Sequence, residues 1–311
     1  CLGAAIPFAA STGFETYNWD FSTHELRTTP QQVLNDPNAS TAFDGNGNNY
    51  NNIEFVDSAG RSIAYATNSN QLVIIDFDNG PLSPQYHTVP TSVLDLGNSL
   101  SPMSILYDDS NNNWLGFSVS QNGILTRIQL DSLLDTQPIV ETFDFSATGL
   151  NSFRVARPYV SPSGKLHVLL GAFGGTAKIL DLNFGDNWLS TSYTSQDLNT
   201  GGLSASSMLV ETTCDSVVIL AVDGLTDLYH LSYADSIKPV ADASGIIHTF
   251  AGLRTHICLY KRFGQLFVAG TFQSGIRILE FENGITSTPT ATYSPPGTNW
   301  SGVNFNWYQG S

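Results

Sequence analysis

Apolar and polar residues alternate with a period of two along most of the chain, in short runs punctuated by Gly, Asn, Asp, Ser and Pro. That period places successive side chains on opposite faces of an extended strand, so it predicts β-structure. Five runs are near copies of one another: Gln71-Leu-Val-Ile-Ile-Asp-Phe77, Ile124-Leu-Thr-Arg-Ile-Gln-Leu130, Thr176-Ala-Lys-Ile-Leu-Asp-Leu182, Asp227-Leu-Tyr-His-Leu-Ser-Tyr233 and Gly275-Ile-Arg-Ile-Leu-Glu-Phe281. With Asp76, Gln129, Asp181, Ser232 and Glu280 taken as equivalent, the pattern advances by 53, 52, 51 and 48 residues. Ahead of each copy lies a more continuously apolar run, at 61–67, 114–120, 165–171, 216–222 and 265–271, as expected of strands covered on both faces. A further strand precedes these, at 52–57, 104–109, 156–161, 207–212 and 256–261, and a weaker one follows at 86–90, 139–145, 246–250 and 288–293.

A repeat of about 50 residues carrying four strands is the unit of a β-propeller. The chain ends fit the same unit. Residues 15–21 match the third-strand pattern with Asp20 in register, residues 4–9 supply the strand before it, and Val303-Asn-Phe-Asn-Trp-Tyr308 aligns with the first strand at 104–109. Counting from Glu280 through the joined ends to Asp20 again gives 51. The expected fold is therefore all-β: a six-bladed β-propeller with four antiparallel strands per blade and 1+3 closure, the innermost strand of one blade coming from the C-terminus. One domain spans 1–311, with blades at about 302–311 plus 1–30, 51–90, 103–145, 153–195, 205–250 and 254–294. Pairing the two ends removes the exposed edges of an open ring. Helix is expected only as a turn at 31–34.

The segment Ser161-Pro-Ser-Gly164-Lys-Leu-His-Val168, followed by Lys178-Ile-Leu-Asp-Leu182, resembles the YVTN-type and NHL-type propeller repeats, in which a Pro-Asp-Gly turn joins the innermost strand to the next. At the level of pattern the resemblance extends over all the repeats. Ser163 stands where those repeats carry Asp, and the Tyr-Val-Thr-Asn signature is missing. The resemblance implies a fold and no activity.

Charge narrows the partners. Twelve Lys plus Arg against 27 Asp plus Glu give a net charge of −15, which disfavours nucleic acid and anionic lipid. The longest apolar stretch, 217–222, is too short to cross a membrane. Cys1, Cys214 and Cys258 form neither a disulfide framework nor a metal motif. A leading Cys suits a lipid anchor, but strand pattern begins at Ala4 without a spacer, which favours excision from a longer polypeptide.

Local catalytic motifs are missing. Gly202-Leu-Ser-Ala-Ser206 lacks the second glycine of a nucleophile elbow. His24, His87, His167, His230, His248 and His256 have no metal-ligand spacing and read as structural. Asp109-Ser-Asn-Asn-Asn-Trp114 keeps only the Asp-to-Trp spacing of a sialidase Asp box and reads as a hairpin whose Trp114 caps the neighbouring blade. Asp44-Gly-Asn-Gly-Asn48 begins like a calcium loop, yet Asn49 and Phe55 occupy the positions of its Gly and Glu, so the cofactor expectation is none, with calcium the one weak candidate. Sequons at Asn38 and Asn299 carry weight only in a eukaryotic secretory pathway.

Three functions compete. The first is a non-enzymatic recognition or scaffold module of an extracellular, cell-surface or virion assembly, binding a protein partner. Its surface is the rim formed by the long connections 30–51 and 90–103, with Asp36, Asp44, Asn46, Asn48, Tyr50, Asp95 and Asn98 as contact residues. The second is a glycan-binding module using Tyr50, Trp188 and Trp300. The third is a lactonase-like or glycosidase-like enzyme, for which Asn52, Glu54, Glu211 and Asn304 on innermost strands are the candidate polar or metal-binding groups.

Overall fold

The computed structural model describes residues 2–7, 13–20, 25–26, 32–35, 52–58, 61–67, 72–78, 85–90, 94, 103–148, 152–172, 178–223, 227–249, 253–262, 265–272, 275–281, 287–289, 291–293 and 304–307. The strands fall in chain order into groups. They are β1 (Leu2–Pro7), β2 (Gly13–Asp20), β3 (Glu25–Leu26) and β4 (Gln32–Asn35), then β5 (Asn52–Ser58), β6 (Arg61–Thr67), β7 (Leu72–Asp76) and β8 (Gln85–Val89). Next come β9 (Ser104–Asp108), β10 (Asn113–Val119), β11 (Ile124–Leu130) and β12 (Ile139–Asp144), then β13 (Phe153–Val160), β14 (Leu166–Ala172), β15 (Ile179–Gly185) and β16 (Thr194–Leu198). The last are β17 (Ala205–Thr212), β18 (Ser216–Asp223), β19 (Asp227–Ala234) and β20 (Ala243–Thr249), then β21 (Leu253–Arg262), β22 (Gln265–Phe272), β23 (Gly275–Phe281), β24 (Ala291–Tyr293) and β25 (Asn304–Trp307). Each set of four from β5 to β24 is an antiparallel meander forming its own sheet. The remaining sheet runs β25-β1-β2-β3, with β4 also pairing β2.

Two compact units contain these sheets: residues 1–95 with 252–311, and residues 96–251. In the first, β25 and β1 pair antiparallel with Phe305 opposite Ala4, so strands from both ends of the sequence share a sheet. The helical turn expected at 31–34 is instead strand β4, with Val33 opposite Glu15. Gln-Val-Leu-Asn offers only one turn of helical spacing, and nucleating a helix so short costs more than adding a ladder to an existing sheet edge. Among the described residues the single helical element is a 3₁₀ turn at Ser146–Thr148.

The second unit shows why the apolar runs are continuous. All of β14 is buried. Leu166, Val168 and Leu170 pack with Phe117, Leu125 and Phe143 of the preceding sheet, whereas Leu169 joins Met208, Val217 and Ile219 of the next. A strand covered on both faces has no polar side to display, so period-two alternation vanishes there. The tight turn before it needs glycine: Gly164 sits at φ 84° and donates its N–H to the Ser161 carbonyl at 2.8 Å.

One buried charge ties neighbouring sheets together. Arg127 of β11 is 1% exposed. Its guanidinium pairs with Glu141 of β12 and donates to the carbonyls of Trp188 at 2.8 Å, Ser190 at 2.9 Å and Leu189 at 3.0 Å, in the segment after β15. The rings of Phe143 and Phe184 lie 5.3 and 5.4 Å from its carbon centre. A planar cation with five donors suits this role because it satisfies several carbonyls at once while stacking on aromatic faces.

Candidate functional site

The first strands of the 96–251 unit, β9, β13 and β17, each pair with one neighbour in their own sheet and lie beside one another. Their inner edges are where propeller-like sheets bring groups from distant parts of a chain together. Arg157 of β13 donates from Nε to the Met208 carbonyl of β17 at 3.1 Å and from Nη1 to Oγ of Ser104 on β9 at 3.2 Å. One side chain thus links three first strands. Arg154 falls at a register shift between Phe153 and Val155, the kind of irregularity that re-aims a side chain. It is half-buried, and burial lowers its pKa from the ordinary arginine value. Glu211, half-buried near the end of β17, is opposite Val218. Guanidinium, hydroxyl and carboxylate groups therefore occupy strands of an otherwise apolar sheet interior.

A second set of polar groups is consumed inside the sheets. Asp76 faces Ile63 in the ladder, and Arg61 reaches it diagonally, with Nε to Oδ1 at 3.0 Å and Nη2 to Oδ2 at 2.5 Å. That guanidinium holds the Asp76 carboxyl below the usual carboxylate range. The same diagonal recurs at the equivalent residue Asp181. It faces Leu169, shares a 2.9 Å hydrogen bond with His167 Nδ1 and accepts 2.8 Å from Gln196 Nε2. Tyr159 stacks on His167 with ring centroids 4.9 Å apart. Burial, reinforced by the Asp181 charge, pushes the phenols of Tyr159 and Tyr233 up. These pairs lock strand register and leave no carboxylate oxygen directed to a substrate.

The residues expected to form a loop rim, Asp36, Asp44, Asn46, Asn48, Tyr50, Asp95 and Asn98, lie outside the described residues, as do Trp300 and the calcium-like segment 44–50. Glu54 and Glu211 are half-buried on β5 and β17, while Asn52 and Asn304 are placed on β5 and β25 by their backbones. Trp188 packs against the apolar core and donates from Nε1 to the Gly164 carbonyl at 3.2 Å, so it covers the interior. Trp114 contacts Tyr107 of its own hairpin, with centroids 4.7 Å apart. Among the described residues no three His, Cys, Asp or Glu side chains are grouped as metal ligands. Sequence reasoning missed Arg127 and Arg157; the available signal was an arginine within an apolar strand of a chain with only 12 Lys plus Arg.

No family model matches the sequence, and no curated protein matches it. Solved structures do resemble it in fold. A thermostable family-43 glycoside hydrolase superposes with a TM-score of 0.53 at 12% identity, covering 79% of this chain and 94% of its own. A protein proposed to be a 6-phosphogluconolactonase, from Bacteroides uniformis, gives 0.56 at 11% identity over 98% of this chain and 99% of its own. TolB from Acinetobacter baumannii gives 0.53 at 11% identity, covering 97% of this chain and 66% of its own. The fold is propeller-like and all-β, built of four-stranded antiparallel sheets.

These likenesses correct the expectation of a non-enzymatic recognition or scaffold module. A family-43 glycoside hydrolase and a protein proposed to be a lactonase share this fold, so the fold gives no ground for a non-enzymatic reading. The expectation failed because it took missing local motifs as missing chemistry. In sheets of this kind the polar groups come from first strands about 50 residues apart, so no short motif announces them.

Proposed function

We propose that the chain is a carbohydrate-directed hydrolase acting at the inner edges of its first strands. The observation that carries this reading is the polar content of those strands: the half-buried carboxylate of Glu211 on β17, beside β13 with its Arg157 bridge to Ser104 and Met208. Glu211 follows the apolar run Met208-Leu-Val210 directly on β17. Hydrolysis of a glycosidic bond uses a carboxylic acid and a carboxylate, the acid protonating the leaving oxygen. Lactone opening uses a carboxylate as general base toward water. Glu211 is assigned one such role. The glycosidic reading comes first, and the lactone reading is kept because the lactonase-like protein matches 98% of the chain.

The same reading takes the sheets as six blades of one propeller, the blade containing both chain ends closing 1+3 through β25 and β1. Removal of 303–311 is then expected to abolish cooperative unfolding, and an unchanged transition would refute the closure. For activity, the test is a panel of aryl glycosides and aldonolactones, each assayed with calcium and with a chelator. Glu211→Gln is expected to lose about 10²-fold or more in kcat at unchanged thermal stability. Absence of turnover on both substrate classes, or full activity in Glu211→Gln, would overturn the proposal.

A further inference from the structure

The β9–β10 hairpin presents a feature that neither the sheet interior nor the first-strand site uses. Tyr107 is 37% exposed, the one aromatic among the large exposed apolar side chains, whose other members are Ile139, Val240 and Ile246, among the described residues. It stands opposite Trp114 in the ladder, their rings 4.7 Å apart and tilted by 49°. The phenol donates to Oδ1 of Asn112 at 2.6 Å, and Asn112 itself sits at φ 52°. The turn beneath is held by Asp108, which is 1% exposed. Its Oδ1 accepts from the Ser110 N–H at 3.0 Å, the Ser110 hydroxyl at 2.6 Å and the Asn111 N–H at 3.3 Å, and its Oδ2 from the Asn111 amide at 2.7 Å. Burial raises the Asp108 pKa, but these hydrogen bonds outweigh it and keep the carboxyl below its usual range.

We infer that Tyr107 and Trp114, with the exposed Asp109, Asn111 and Asn112 around them, form an accessory binding site for a neutral pyranose of an oligosaccharide. The argument is physical. A sugar ring offers one face of C–H groups that packs on an aromatic surface and an equator of hydroxyls that need donors and acceptors. This hairpin supplies an orientated ring and, beside it, amide and carboxylate groups on a rigid turn. Ring and turn are ordered before any ligand arrives, so binding loses little conformational entropy. The exposed carboxylate of Asp109 on the same hairpin and the net charge of −15 repel uronates and sugar phosphates, which selects neutral glycans. The inference extends the carbohydrate reading but stands on its own geometry, and it concerns retention of substrate, not bond cleavage.

Affinity electrophoresis of the full chain through gels containing arabinoxylan, mixed-linkage β-glucan or polygalacturonate tests it. Retardation is expected in at least one neutral polysaccharide and not in polygalacturonate. Tyr107→Ala is expected to weaken the neutral interaction about tenfold, and Tyr107→Phe, which keeps the ring but frees it from Asn112, by less. Both variants should retain the wild-type melting temperature and the same turnover of small aryl glycosides or lactones. No retardation by any neutral polysaccharide, equal retardation by polygalacturonate, or an unchanged Tyr107→Ala would overturn the site. Binding without any hydrolysis would instead remove the catalytic proposal and leave this one intact.

Discussion

Replacing Arg127 by alanine strikes a buried group with four hydrogen-bonded partners. The change removes a cation that is 1% exposed, its pair with Glu141, its donors to three consecutive carbonyls and its stacking between Phe143 and Phe184. The Glu141 side chain is 36% exposed, so water re-solvates it and the lost ion pair counts for little. The carbonyls of Trp188, Leu189 and Ser190 belong to half-buried residues and recover only part of their hydrogen bonding, at a cost of about 1 kcal/mol each. The vacated volume between two phenylalanine rings adds a cavity penalty of about 1–2 kcal/mol. Together these give a loss of about 4–5 kcal/mol, within the range found when one side of a buried polar network is deleted. Urea unfolding followed by tryptophan fluorescence should show it, and thermal unfolding should show a fall in Tm on the order of 10 °C. Hydrogen exchange should quicken selectively across 187–192. Arg127→Lys should recover less than half of the loss, since a single ammonium cannot meet three carbonyls and a carboxylate in one plane. A loss below about 1 kcal/mol in Arg127→Ala would refute the claim that this residue staples adjacent sheets.

Gly171→Ala should destabilise by about 1–3 kcal/mol in urea unfolding, because its Cβ would lie 2.7 Å from Val155 Cγ1, 2.9 Å from Ala205 Cβ and 3.0 Å from the Ala205 carbonyl oxygen. Tyr159→Phe should leave stability unchanged or raise it by about 1 kcal/mol, since the buried Tyr159 hydroxyl has no hydrogen-bond partner; a clear loss would mean that it has one. Asp76, whose folded pKa is depressed by Arg61, contributes stability that is present above the unfolded carboxylate pKa of about 3.9 and lost as pH falls through the folded value. Wild type should therefore lose urea resistance more steeply than Asp76→Asn on acidification below about pH 4, and parallel curves would exclude the linkage.

Much of the sheet structure is written locally, and the failures have local causes. The aligned residues Asp76 and Asp181 occupy the same diagonal position in two sheets, where their partners Arg61 and His167 stand two residues before the ladder-paired Ile63 and Leu169. The sequence repeat that aligns Asp76 with Asp181 is thus also a repeat of hydrogen-bond geometry. The fourth strand of the β13–β16 sheet, Thr194–Leu198, gave no signal because only Leu198 is buried; an outermost strand needs one anchoring residue, not an apolar face. Strand β4 was misread for the opposite reason. Four residues carry too little pattern to tell a helical turn from an added strand, and pairing with β2 decides the matter.

The candidate site was less legible than the fold because its parts have no common neighbourhood in sequence. Ser104, Arg157 and Met208 are separated by 53 and 51 residues, the length of the repeat itself, and meet because each belongs to a first strand. Periodicity identifies such strands but says nothing about which of their side chains is drawn to the inner edge, particularly where a register shift falls between Phe153 and Val155 and breaks the alternation. A better sequence-level rule follows from this spacing. Polar residues should be collected from equivalent first-strand positions across all repeats and judged as one set, because in a radial fold residues one repeat apart are neighbours. Applied to this chain, that rule groups Ser104, Arg157 and Met208 at the starts of successive first strands, and it puts Glu211 of β17 among the side chains to test first.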